Sequence, residues 1–223
     1  KDKDKDKYKY KRFTSNGINT IPEDLINLIY NKKLINILEN ITKQKIQILS
    51  HIDFNLNSSQ GAWHRDSIEK DFQQDHYYYS RKYHIYKLGI YLDNYKENKP
   101  SLRIIPFSNI KNLKKYEICL LKISNFIFKR LRKIIGNELA KYLPHIPISF
   151  AKNLAFQKGS AILFDQRLIH SGARKPFFSK GKKLALFVTF GLLDKFTYDH
   201  LSIYGNENDI NPNIANQLSK VLG

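Results

Sequence analysis

Strand-like patterning fills most of this chain, and neighbouring strands follow one another without a helix between them. In "KIQILSHIDFNL" (45–56), Ile46, Ile48, Ser50, Ile52 and Phe54 alternate with polar residues, the period of a half-buried strand. After the turn-forming "NSSQG" (57–61), extended structure resumes in "AWHRD" (62–66) and again in "YHIYKLGIYLD" (83–93) and "SLRIIP" (101–106). It returns in "ISFAKNLAFQ" (148–157), "GSAILFD" (159–165), "LIHSG" (168–172) and "KLALFVTFGLL" (183–193). A parallel sheet needs a crossover helix between strands. Without that alternation the pattern predicts an antiparallel sandwich or barrel, with a jelly roll as the leading form.

Two stretches interrupt the strands with a helical period. "TIPEDLINLIYNKKLINILENI" (20–41) reads as one helix. Thr20 suits its cap, Pro22 its first turn, and Glu23 and Asp24 the positive end of its dipole. Leu25, Ile29, Leu34, Ile37, Leu38 and Ile41 form its apolar stripe. Around 110–143 an inserted helical pair is expected, with Ile118, Leu121, Phe126, Leu131, Ile134 and Ile135 lining one side. Lys122, Lys129, Arg132 and Lys133 would form a solvated opposite face. Residues 67–82 are polar and Tyr-rich without a clean period, as in a surface loop or lid.

A chain of 223 residues that is 42% hydrophobic supports one sizeable core. The expected organisation is a mobile charged N-terminus over 1–12 and a single domain over 13–223. No apolar run reaches the length of a membrane span, and "KDKDKDKYKYKRF" lacks the apolar segment of a secretory signal. The single cysteine, Cys119, fits a reducing compartment and so a cytoplasmic location. Its apolar surroundings predict a buried, small hydrophobe. The net charge of +18 suits an anionic partner such as nucleic acid, a phosphorylated metabolite, coenzyme A or a membrane surface. The joint richness in Lys, Asn, Ile and Tyr offers a compositional explanation instead.

The chemistry gathers around "GAWHRDS" (61–67). On a strand His64 and Asp66 point to one face, where they could grip one metal ion from adjacent positions. His-x-Asp alone is weak, and the chain holds a second copy, His51 and Asp53 in "SHIDF". That pair could face solvent or line the same cavity one strand over. Downstream, "FQKGSAILFDQRLIHSGARK" ends an apolar strand, turns at Asp165 to Arg167 and delivers His170, the best candidate for a third ligand. Two histidines and one carboxylate on one face of a metal form the ligand set of non-haem Fe(II) oxygenases. Lys182 and Lys183 then stand at the mouth of the last strand, where a dicarboxylate chelating the iron at one end could pair with a lysine at the other.

"WHRDS", "KLGIYLDNYKENKPSLRIIPFSN", "GSAILFDQRLIHSGARK" and "KKLALFVTFG", in that order over about 46–193, resemble the phytanoyl-CoA dioxygenase family of Fe(II)- and 2-oxoglutarate-dependent oxygenases. The resemblance implies a mostly β fold with flanking helices: a double-stranded β-helix (jelly roll, cupin-like) core with a helical insert around 110–143. It makes His64, Asp66 and His170 the iron ligands and leaves His51 and Asp53 outside the motif. It implies Fe(II), 2-oxoglutarate and O2 as cofactor and cosubstrates, and hydroxylation of a small molecule. A carboxylate at Asp66, where halogenating relatives carry a small residue, favours that outcome. Lys183, with Lys182 one register away, stands where the family has an arginine for the far carboxylate of 2-oxoglutarate; lysine keeps the charge but loses the bidentate fork. The family also has glycine at the positions of Pro100 and Phe107 and histidine at that of Asn109, which predicts an altered turn.

Lys87 and Tyr91 share a strand face with Gly89 between them and could touch 2-oxoglutarate or substrate. Gly89 would open space or mark a bulge. Trp63 reads as core, and Arg174 as a loop arginine or an anion contact. "DHYYYSRKYH" (75–84) reads as a closing lid, although it could also stack bases or sugars. His76, His145 and His200 read as surface residues. Competing functions are a non-catalytic jelly-roll binding protein, an oxygenase acting on nucleic acid or protein, and a basic nucleic-acid-binding module. The arginine-rich motif of nucleic-acid demethylating relatives is absent after His170.

Overall fold

The computed structural model describes residues 11–15, 23–56, 61–66, 84–92, 100–140, 146–173, 184–194 and 196–197. In chain order these form β1 (Lys11–Ser15), α1 (Glu23–Ile29), α2 (Lys32–Thr42), β2 (Ile46–Leu56), β3 (Ile85–Tyr91) and β4 (Pro100–Ile104). There follow α3 (Lys115–Ala140), β5 (Lys152–Ala155), β6 (Ala161–Asp165), β7 (His170–Gly172) and β8 (Leu184–Leu192). The strands build a five-stranded sheet in the order β1-β2-β8-β3-β6 and a three-stranded sheet in the order β5-β4-β7. Every pairing is antiparallel. This is the mostly β jelly roll that the uninterrupted strands predict. β1 takes in Lys11 and Arg12, the last two residues of the stretch read as a charged tail.

The large sheet is covered on both faces, which explains why β3 is buried almost without interruption. On the outer face Ile48, Ile52, Leu88, Ile90, Leu186, Val188 and Phe190 pack with Ile29 of α1 and Leu38 of α2. The inner face carries the opposite parity: Asp53 pairs in register with Phe187, Phe187 with Gly89, and Lys87 with Thr189. β2 shifts register between Ile48 and Ile52, yet both residues stay in the same cluster.

The first helical stretch is two helices rather than one. Asn31 adopts an extended conformation, and its side chain accepts from the amides of Lys33 (3.0 Å) and Leu34 (3.3 Å). An Asn that caps a new helix breaks the old one, because its carboxamide takes over the first free N–H groups. Thr20 and Pro22 lie outside the described residues.

The insert is the expected pair of helical stretches: Gly136 (φ 78°, ψ 168°) is non-helical and divides α3 near its end. Its expected apolar side is only partly buried. Leu121 is fully enclosed in a cluster with Trp63, Ile105, Ile148 and Ile169, with Ile118 packed against it. Phe126, Leu131 and Ile134 are exposed. Helical period marks a face, but contact is limited to the turns that meet the small sheet. Cys119 points away from that contact and is exposed, contrary to the buried position expected of it. Pro100 opens β4 opposite Ala155, so it occupies a strand and not a turn. Among the described residues no helix is long and apolar enough to cross a membrane.

Candidate metal centre

His64 and His170 meet as an isolated antiparallel bridge. Each backbone N–H donates to the other's carbonyl, at 3.0 Å from His64 and 2.9 Å from His170. β7 is thereby paired on both sides, since Ile104 of β4 is also in register with His170. The bridge places the two imidazoles 4.4 Å apart, centre to centre. The amide of Asp66 donates to the carbonyl of Gln166 (3.2 Å), which fixes the third residue against the turn before β7.

That turn is held by Asp165, whose carboxylate accepts from the backbone N–H of Arg167 (2.9 Å) and from its guanidinium. Asn109 donates to the same carboxylate at 3.3 Å. Ser108 fastens both sides of the site: its Oγ accepts from the Ile169 amide (2.8 Å) and its carbonyl from the Arg65 guanidinium (3.0 Å). Trp63 is core, as expected, with the Arg103 guanidinium 4.4 Å over its ring. Asn125 of α3 grips the same residue, accepting from its N–H (2.7 Å) and donating to its carbonyl (2.8 Å). The helical insert therefore anchors the segment that carries His64.

The donor atoms of His64, Asp66 and His170 all lie within 4.8 Å of one another. Both Nδ1 atoms sit on backbone carbonyls, His64 on Ala62 (2.8 Å) and His170 on Leu168 (3.0 Å). An Nδ1–H donated there fixes the tautomer and leaves each Nε2 a free lone pair. Those Nε2 atoms face the Asp66 carboxylate, at 3.6 Å from His64 to Oδ1 and 3.5 Å from His170 to Oδ2. Asp66 Oδ2 is buried, with the Lys87 ammonium 3.0 Å away as its close ionic neighbour. Two imidazole Nε2 atoms and a carboxylate converging at this spacing fit a divalent cation.

The electrostatics agree. Burial works against an ionised Asp66, but the Lys87 ammonium 3.0 Å from Oδ2 and the two histidines hold its carboxyl well below the usual range. Burial pushes His170 down to about 4, so it is neutral at physiological pH. Burial also lowers His64, but its hydrogen bond and charge interaction with Asp66 outweigh that and raise it overall.

Lys87 reaches the interior, as its place on β3 predicts, but its partners there are carboxylates. Its ammonium is 3.3 Å from Asp53 as well as 3.0 Å from Asp66, with its side chain only 6% exposed. Asp53 was set outside the motif. The structure buries it on the inner face of the large sheet, on the face of β2 opposite Ile52. The alternation of Ile46, Ile48, Ile52 and Phe54 already assigned it to that face. Tyr91 is buried as packing, stacked on Phe156 (4.3 Å) and edge-on to Phe187 (6.3 Å), and burial raises its hydroxyl pKa. Gly89 marks no bulge; a Cβ there would lie 2.6 Å from the Phe187 ring, so the glycine accommodates that ring. The side chain of His51, and Arg174, Lys182, Lys183, His76, His145 and His200, lie outside the described residues, as does the lid stretch.

No protein-family model matches the chain, and no curated protein matches it by sequence. Solved structures do. HygX from Streptomyces hygroscopicus, with iron bound, superposes with a TM-score of 0.53 at 13% identity, covering 82% of this chain and 72% of that one. The fold is one shared with iron- and 2-oxoglutarate-binding proteins. HygX with nickel and 2-oxoglutarate bound gives a TM-score of 0.51 at 14% identity, over 82% of this chain and 70% of that one. SnoN, a non-haem alpha-ketoglutarate-dependent epimerase from nogalamycin biosynthesis, gives 0.50 at 9% identity, over 82% and 61%. At these identities the likeness is one of fold.

Proposed function

We propose that this chain is an Fe(II)- and 2-oxoglutarate-dependent oxygenase of the phytanoyl-CoA dioxygenase type that hydroxylates a small molecule. The carrying observation is the meeting of His64, Asp66 and His170, with both Nδ1 atoms tied to carbonyls and both Nε2 atoms turned toward one carboxylate. His64 and His170 would hold the iron through Nε2 and Asp66 through its carboxylate. When bound, iron, 2-oxoglutarate and O2 together supply oxidative decarboxylation coupled to oxidation of a substrate C–H bond.

The protein's own part is orientation and exclusion of water. Lys87 keeps Asp66 ionised. Phe164, whose ring centre lies 5.1 Å from that of His170, and Phe187 present apolar surface to the interior. Thr189, in register with Lys87, has a buried Oγ1 without a hydrogen-bond partner. An unpaired hydroxyl in that interior suits a polar ligand. Lys183, with Lys182 beside it, directly precedes β8 and is our candidate for pairing with the far carboxylate of 2-oxoglutarate. The +18 charge supports an anionic or carrier-bound substrate, and the single cysteine a cytoplasmic setting.

Thermal unfolding tests this reading. Mn(II) should raise the midpoint, and 2-oxoglutarate should raise it further only when the metal is present. His64→Ala should abolish both effects. A wild-type protein indifferent to metal overturns the proposal.

A further inference from the structure

Asp53 lies outside the three-residue ligand set, yet it shares a buried lysine with it. Lys87 stands between two carboxylates, 3.3 Å from Asp53 Oδ2 and 3.0 Å from Asp66 Oδ2. Asp53 and the Lys87 side chain are almost wholly enclosed, at 2% and 6% exposure. The two residues come from β2 and β3, which are not neighbours; β8 runs between them. Lys87 therefore reaches diagonally across the inner face of β8 to meet Asp53.

We propose that Asp53 is a positioning residue that sets the metal affinity of the site by holding Lys87. The inference rests on the metal-centre reading above. An ammonium beside Asp66 helps an empty site by keeping the carboxylate ionised, and opposes a filled one, because ammonium and metal compete for the same oxygens. In a low-dielectric interior that competition is strong. Asp53 gives Lys87 a second anion within reach, so Asp66 can turn to a cation without leaving the ammonium buried and unpaired. Without Asp53, Lys87 loses that alternative and presses its claim on Asp66. Outer-shell partners of metal ligands have effects on this scale, roughly ten- to a hundred-fold in affinity.

The experiment is Mn(II) binding, followed by electron paramagnetic resonance of the free ion, with no cosubstrate and no turnover. Wild type, Asp53→Asn, Lys87→Met and the double variant are compared at one pH. Asp53→Asn is expected to weaken binding roughly ten- to a hundred-fold. The double variant, which removes both the anion and the competitor, should bind within about threefold of wild type. A merely structural role for Asp53 predicts the reverse: the double variant stays as weak as Asp53→Asn. That result, or an Asp53→Asn that binds like wild type, overturns the assignment. Should Asp53→Asn fail to fold, Lys87→Met and the double variant carry the test: with Lys87 gone, changing Asp53 should alter affinity by less than about threefold, and a larger loss overturns the assignment. Absence of binding by folded wild type overturns the metal reading and this inference together.

Discussion

Phe107 sits in a backbone conformation that suits glycine, and replacing it should stabilise the protein. Its φ is 64°, in the left-handed region. For a residue with a Cβ that conformation costs about 1–2 kcal/mol. Glycine removes the penalty but loses more chain entropy on folding, about 0.5–1 kcal/mol. The ring offers little to set against this, since Phe107 is 67% exposed. The balance favours Phe107→Gly by roughly 0.5–1 kcal/mol. For a chain of this size that is a rise of about 1–4 °C in Tm. The turn also carries Ser108, which fastens Ile169 and Arg65 beside the candidate metal centre, so Mn(II) affinity should be kept or slightly improved. The assay is urea unfolding followed by circular dichroism, with the slope checked for constancy. Phe107→Ala is the control: it removes the ring but keeps the Cβ, and should shift stability by less than about 0.5 kcal/mol. A lower midpoint for Phe107→Gly would refute the reasoning, as would an equal gain from Phe107→Ala, which would trace the effect to the exposed ring.

Other perturbations test the supports of the site. Asn125→Ala removes the side-chain partner of the Trp63 N–H and carbonyl and should cost about 1–3 kcal/mol, with weaker Mn(II) binding because the segment carrying His64 loses its anchor; unchanged unfolding and unchanged binding would contradict that role. Gly89→Ala puts a methyl 2.6 Å from Phe187 Cε1 and 3.2 Å from Ile162 Cγ2, an overpacking that should cost about 1–3 kcal/mol in urea unfolding. Metal-free stability should fall on acidification. His170 is neutral down to about 4 in the folded protein against about 6.5 unfolded, so the unfolded chain binds the extra proton between those values. The loss across that window is at most about 3 kcal/mol. Asp66, depressed when folded, adds a further loss below the ordinary carboxylate range. His64, raised when folded, opposes the fall, because its contribution is full at low pH and lost as pH rises through its folded pKa. Unfolding at pH 7, 5.5 and 4.5 reads the net sign, and a midpoint that rises on acidification would contradict it.

The strands were legible because period-two alternation survives in a sheet packed on both sides, provided the outer row stays apolar, as Ile48, Ile52, Leu88, Leu186 and Val188 do. The candidate ligands were legible as a pattern, but their meeting depends on a backbone bridge between His64 and His170 that periodicity does not encode. Local chemistry escaped where one residue outweighs its neighbours. Asn31 ends a stripe that runs on past it, and Phe107 accepts a glycine conformation because no burial is at stake. Helical amphipathicity gave α3 an apolar side without saying how many of its turns would be covered, which misplaced Phe126, Ile134 and Cys119. Asp53 was readable as an inward residue, but its partnership with Lys87 needs the strand order β2-β8-β3, a long-range fact. The family resemblance drew attention to three candidate ligands and away from Asp53, the buried carboxylate that shares Lys87 with Asp66.

The central claim is that His64, Asp66 and His170 bind iron in a form that 2-oxoglutarate can chelate. Anaerobic titration of Fe(II) into metal-free protein with 2-oxoglutarate tests it directly, through the weak visible charge-transfer band of the chelate. The account predicts the band in wild type and in His51→Ala, its loss in His64→Ala and its weakening in Lys183→Ala. No band from folded wild-type protein, or a band lost in His51→Ala and kept in His64→Ala, would contradict it.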